Sequence, residues 1–120
     1  MIFKHSGLYI DKSPVHGWGV FINEDIKKDS LLEEAPIAKI IELRNDINLL
    51  TPYLMRPAKE NERPDRWFIP TGFSIHLNHA DVPNVEWKVD YETNIAYFYA
   101  AQDIKANEEL FISYLHQKIQ

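Results

Sequence analysis

The stretch Ser74-Ile75-His76-Leu77-Asn78-His79-Ala80-Asp81-Val82-Pro83-Asn84 decides how this chain is read. It opens with apolar Ile75 and Leu77 alternating with polar Ser74 and His76, the period of a β-strand. It then breaks at Asn-His-Ala-Asp and closes on Pro83-Asn84. Proline locks its own φ and pushes Val82 toward extended geometry, so a stiff break is expected. A stiff loop rich in donors and acceptors, set against an apolar strand, is a place to hold a polar ligand.

Working outward, residues 84–103 read as a hairpin. Val85, Trp87 and Val89 alternate with Glu86 and Lys88, and Ile95, Tyr97 and Tyr99 alternate with Ala96, Phe98 and Ala100. The second of these strands is apolar on both faces, which predicts a central strand covered on both sides. Residues 110–115 read as the last strand. Upstream, residues 8–12 and 20–22 read as short strands around a turn at 13–17. The apolar run 31–41 is interrupted by Pro36, which favours a strand edge or a bend. The one helix candidate is 45–55, shortened or broken by Pro52. Residues 56–66 are the most polar part of the chain and read as a solvated, mobile insert. The fold class expected is mostly β.

With 120 residues, 45% hydrophobic and 26% charged, the chain reads as one ordinary globular domain. No apolar run is long enough for a transmembrane helix and no signal-peptide pattern opens the chain, so a soluble, intracellular, cytoplasmic protein without membrane partners is expected. If the source is viral, the host nucleus is the other expectation. The net charge of −5 disfavours direct nucleic-acid binding, which needs a basic face, and is compatible with a basic peptide partner. The absence of cysteine excludes disulfides, thiolate metal sites and a cysteine nucleophile.

Three ordered pieces carry a family signal. Asn78-His79-x-x-x-Pro83-Asn84 resembles the N-H-x-x-x-P-N signature of SET-domain protein-lysine methyltransferases. Gly17-Trp18-Gly19-Val20-Phe21 resembles the family's G-x-G-V-F, and Asn107-Glu108-Glu109-Leu110-x-x-x-Tyr114 resembles its G-E-E-L-x-x-x-Y. In length the chain resembles the miniature stand-alone members of viral or bacterial type. The resemblance implies a single SET domain over 6–115 with a short tail at 116–120. It implies small curved sheets, with a C-terminal strand threaded beside the Asn-His segment in a pseudoknot. It also implies S-adenosyl-L-methionine as methyl donor, no metal, and a lysine-bearing protein or peptide substrate such as a histone tail.

By the same resemblance, Gly17, Trp18, Gly19, Asn78, His79 and Tyr114 contact the donor, and Tyr114 is the catalytic tyrosine. Tyr53, Phe73 and Trp87 are candidates for an aromatic channel around the lysine stem, where methylenes pack on rings and the head gains cation–π attraction. Read without the resemblance, each could equally be a core residue, and Gly17 and Gly19 a hairpin turn. Asn107 replaces the family's glycine, and asparagine is the residue best able to take positive φ. Ala80-Asp81 replaces a common Ser-Cys, and no cysteine-rich segment follows Tyr114. The lid over the donor then falls to His116 and the tail, to the 56–66 insert, or to a second subunit in a homodimer. Two rival readings stand beside this one. His76, His79 and Asp81, with His116, could hold a metal, and the domain could be a non-catalytic SET-like module that binds a partner peptide.

Overall fold

The computed structural model describes residues 2–39, 55 and 67–113. The helix expected at 45–55 apart from Met55, the 56–66 insert, and the tail lie outside the described residues. So do Tyr53, Tyr114 and His116.

Among the described residues, eight strands form two four-stranded sheets. The first has the order β1-β2-β8-β5, where β1 is Leu8–Lys12, β2 Trp18–Ile22, β5 Asn78–His79 and β8 Glu109–Ile112. The second has the order β4-β3-β7-β6, where β3 is Leu31–Lys39, β4 Phe68–Pro70, β6 Val85–Asp90 and β7 Ile95–Ala100. Alternation along the strands sends one set of side chains inward. Val20 and Ile22 of β2 meet Leu110 and Ile112 of β8, Leu32 and Ala35 of β3, Phe98 of β7, and Val85 and Trp87 of β6 in one core. Among the described residues no helix is long and apolar enough to cross a membrane.

The expected hairpin is β6 and β7, paired from Val85↔Ala100 to Asp90↔Ile95. Its connection turns on Asn94, which adopts φ 58, and on Asp90, whose carboxylate accepts from the Glu92 N–H at 2.9 Å. β7 is central, as expected, but only one of its faces is fully buried. Ala96, Phe98 and Ala100 are buried, while Ile95, Tyr97 and Tyr99 are half-exposed. Tyrosine satisfies both settings, because its ring is apolar and its hydroxyl is not.

Pro36 lies inside β3 without ending it. β3 pairs with β7 up to Pro36↔Ile95 and with β4 from Ile37↔Pro70 onward. The proline stands where the strand changes partner. Its carbonyl still serves, accepting from Thr71 N at 2.9 Å and from Thr71 Oγ1 at 2.7 Å.

The opening of the stretch quoted first departs from expectation. Phe73–His76 forms a 3₁₀ turn, and the chain becomes a strand only at Asn78–His79. The cause is a distant carboxylate. Buried Glu33 accepts from the N–H groups of Phe73 and Ser74, each at 2.9 Å, and so satisfies the first donors of the turn. Gly72, at φ 113, admits this carboxylate, which would stand 2.7 Å from a Cβ there.

Candidate active site

The centre of the site is the side chain of Asn78. It is 5% exposed, and its amide nitrogen donates to His16 O at 2.9 Å, Trp18 O at 3.1 Å and Glu109 Oε2 at 2.9 Å. One amide thereby ties together the turn before β2, the strand β5 and the start of β8. Glu109 completes the knot by accepting from Ser13 Oγ at 2.8 Å. Ser13 Oγ in turn accepts from Val15 N at 3.0 Å and His16 N at 3.2 Å, and Ser13 N donates to Gly17 O at 2.8 Å. The glycine-containing turn is therefore braced at both ends.

The two glycines have different duties. At Gly19 a Cβ would collide with the Glu109 carboxylate, so the residue must be small for the knot to close. At Gly17, among the described residues, no heavy atom lies within 4 Å of where a Cβ would be, and φ is 49. There the main chain faces open space in a conformation closed to most residues. A backbone left open in this way fits a ligand that approaches the main chain. Trp18, between them, is 55% exposed.

β5 and β8 run parallel, with Asn78↔Phe111 and His79↔Ile112 in register, and Ala80 N donates to Ile112 O at 3.0 Å. Asn84 holds the other end of the loop. Its amide donates to Glu109 O at 2.9 Å and its side-chain oxygen accepts from Phe111 N at 2.7 Å. Asn107 takes φ 68 just ahead of β8, the geometry expected of an asparagine standing for glycine.

Of the expected donor-site residues, Gly17, Trp18, Gly19 and Asn78 share this knot, and His79 lies beside it on β5. The His79 ring nitrogen Nε2 stands 3.1 Å from Asp81 Oδ1, while His76 is exposed at the end of the 3₁₀ turn. Among the described residues no three metal-ligating side chains converge. Of the expected channel residues, Phe73 is half-buried on the 3₁₀ turn with Lys4 Nζ 4.4 Å from its ring centre. Trp87 lies in the core at 5% exposure, edge-on to Phe68 with ring centres 5.4 Å apart. Its burial suits a backing role better than an open wall. Sequence reasoning gave no role to Glu109, Ser13 or Glu33. Glu109 was signalled only by its place in the Glu-Glu-Leu motif, and nothing local marks the other two.

The SET-domain family model matches residues 17–115. The chain belongs to the SET-domain family. A relative from Schizosaccharomyces pombe, a histone-lysine N-methyltransferase specific for H3 lysine 37, is 30% identical over 113 residues, covering 91% of this chain and 74% of the relative. A Plasmodium falciparum protein provisionally assigned as a histone methyltransferase has a crystal structure that superposes with a TM-score of 0.69. It is 32% identical and covers 94% of this chain and 95% of that one. The Neurospora SET-domain histone lysine methyltransferase DIM-5 superposes with a TM-score of 0.71 at 17% identity, over 98% of this chain and 55% of that one, a likeness of fold. The small sheets described above are those of a SET domain, and this SET protein is an enzyme of the protein-lysine N-methyltransferase class.

Proposed function

We propose that this SET domain uses S-adenosyl-L-methionine to methylate a lysine side chain of a protein substrate, a histone tail being the first to try. The observation that carries the reading is the Asn78 amide, which draws three separate motifs onto one spot.

When bound, S-adenosyl-L-methionine supplies an electrophilic sulfonium methyl group. The open main chain at Gly17, with Trp18 and Gly19, forms the cradle, and Asn78 and His79 border it from β5. Asn78 acts chiefly as a brace, because its side-chain donors are already engaged. Tyr114, next in sequence after Ser113, is the group proposed to orient the incoming amine, its hydroxyl oxygen favouring the developing cation. Tyr53 and Phe73 are proposed as walls for the lysine stem, with Trp87 packed behind. A free lysine amine has a pKa of about 10.4. A neighbouring positive charge lowers it, and solvent takes the proton, so no strong base is required.

Calorimetric titration with S-adenosyl-L-methionine and transfer of a labelled methyl group to histones and to a cell lysate test the reading. Binding and transfer are expected, and Tyr114→Phe is expected to keep binding and lose transfer. Binding without transfer in the unaltered protein returns the alternative of a non-catalytic peptide-binding module. A homodimer is part of the proposal, the lid over the donor falling to its second subunit, to His116 and the tail, or to the 56–66 insert, and sedimentation with and without donor tests the dimer.

A further inference from the structure

The outer face of the second sheet carries a groove that none of the described candidate-site residues lines. Register sets Glu86 opposite Tyr99, Lys88 opposite Tyr97 and Asp90 opposite Ile95. On the other flank β3 sets Leu31 opposite Tyr99. Because Ala96, Phe98 and Ala100 point into the core, the tyrosines between them face outward. Asp29, Leu31, Lys88, Asp90, Tyr97 and Tyr99 line a groove of about 680 Å³. Asp29 is held at its rim with φ 72, its N–H donating to Ala100 O at 2.8 Å.

The chemistry of the groove is lopsided. Two tyrosine rings and Leu31 make an apolar floor, and the carboxylates of Asp29, Glu86 and Asp90 stand around it against, among the described lining residues, the single ammonium of Lys88. The Tyr99 hydroxyl is raised above its ordinary pKa, first by burial and then by Glu86, through its charge and a hydrogen bond, and by Asp29. Glu86 and Asp29 thus both stand near the Tyr99 phenol.

We propose that this groove docks a lysine- or arginine-rich segment of a protein partner, at a surface that the described residues of the candidate site do not line. Long basic side chains lay their methylenes along aromatic faces and set their charged heads among carboxylates. A second copy of this chain is the poorer occupant. A two-fold contact would set these carboxylates against their own equivalents, on a chain of net charge −5. The inference does not rest on the methyltransferase reading, and its test is read without donor.

Fluorescence anisotropy with labelled oligolysine, and with labelled oligoglutamate as control, tests it on the whole chain. Oligolysine is expected to bind, with affinity falling as salt rises. Tyr97→Ala and Glu86→Gln are each expected to weaken it roughly fivefold to tenfold, with donor titration unchanged. No binding by the unaltered protein, undiminished binding by both variants, or equal binding of oligoglutamate overturns the proposal. A change of oligomeric state in either variant assigns the groove to a second copy and also overturns it. A photoreactive oligolysine on the unaltered protein removes dependence on how the variants fold: cross-links on the Tyr97–Tyr99 peptide support the proposal, and cross-links elsewhere overturn it.

Discussion

The Asn78 side-chain amide donates to the Glu109 carboxylate across 2.9 Å, although 31 residues separate them. The other oxygen of the same carboxylate accepts from Ser13 at 2.8 Å. Two hydrogen-bond donors from two distant segments thus converge on one acid, and that convergence shapes the cradle proposed for the methyl donor.

Glu109→Gln is expected to behave almost as badly as Glu109→Ala. Glutamine offers one acceptor oxygen where two donors arrive, and its own NH₂ then faces a donor. The expected loss is about 1–3 kcal/mol, read as a shift in the urea midpoint at constant slope, with weaker donor binding in both variants.

Gly17→Ala and Gly19→Ala are expected to fail differently. At Gly17 there is room, and the cost is the positive φ alone, about 1–2 kcal/mol. At Gly19 the added methyl displaces the Glu109 carboxylate, so the whole knot is disturbed. Thermal melting compared with donor titration checks this. Gly19→Ala should lose more stability and more donor affinity than Gly17→Ala.

Asn84→Ala removes two hydrogen bonds to the backbone of β8, at 2.9 and 2.7 Å. A loss of about 2–4 kcal/mol is expected from two partly buried backbone groups left unpaired. Asn84→Asp keeps an acceptor for Phe111 N but turns an oxygen toward the Glu109 carbonyl, so it should rescue little. Hydrogen exchange at Phe111 N reads the distinction directly: protection is lost in Asn84→Ala and partly kept in Asn84→Asp.

Tyr99 should ionise late in an alkaline titration. Burial, Glu86 and Asp29 raise its folded pKa above the ordinary 10.0. The sign follows: its contribution to stability is whole below pH of about 10 and is lost as pH rises through the folded value. Ultraviolet absorbance of tyrosinate should show a late step that Tyr99→Phe removes and Glu86→Gln moves to lower pH.

Much of the fold was legible because it rests on local pattern. The β6–β7 hairpin follows from alternation across residues 85–100, and the positive φ of Asn107 follows from asparagine replacing glycine in a recognisable motif. What could not be read depends on partners far away. Ser74 to Leu77 alternates like a strand, yet Glu33, 40 residues from Phe73, converts the start of it to a 3₁₀ turn. Four residues of alternation are too few to separate strand from tight turn without that acid. Pro36 runs through β3 because the strand exchanges neighbours there, a fact of the sheet and not of the segment. In the site, Asn78 and the glycines were found by motif, whereas Ser13 and Glu33 act through contacts with residues 96 and 40 positions away that no spacing rule announces.

The central position of β8 has a consequence for how the protein is made. This strand is the last of the described elements to leave the ribosome, yet β2 and β5 each pair with it. Until it arrives, both lack this partner and Asn78 lacks the Glu109 carboxylate. Such nonlocal closure is slow and leaves nascent chains open to misassembly. Ribosome stalling before Glu109 should therefore yield chains that chaperones retain, with no half-built catalyst released into the cell.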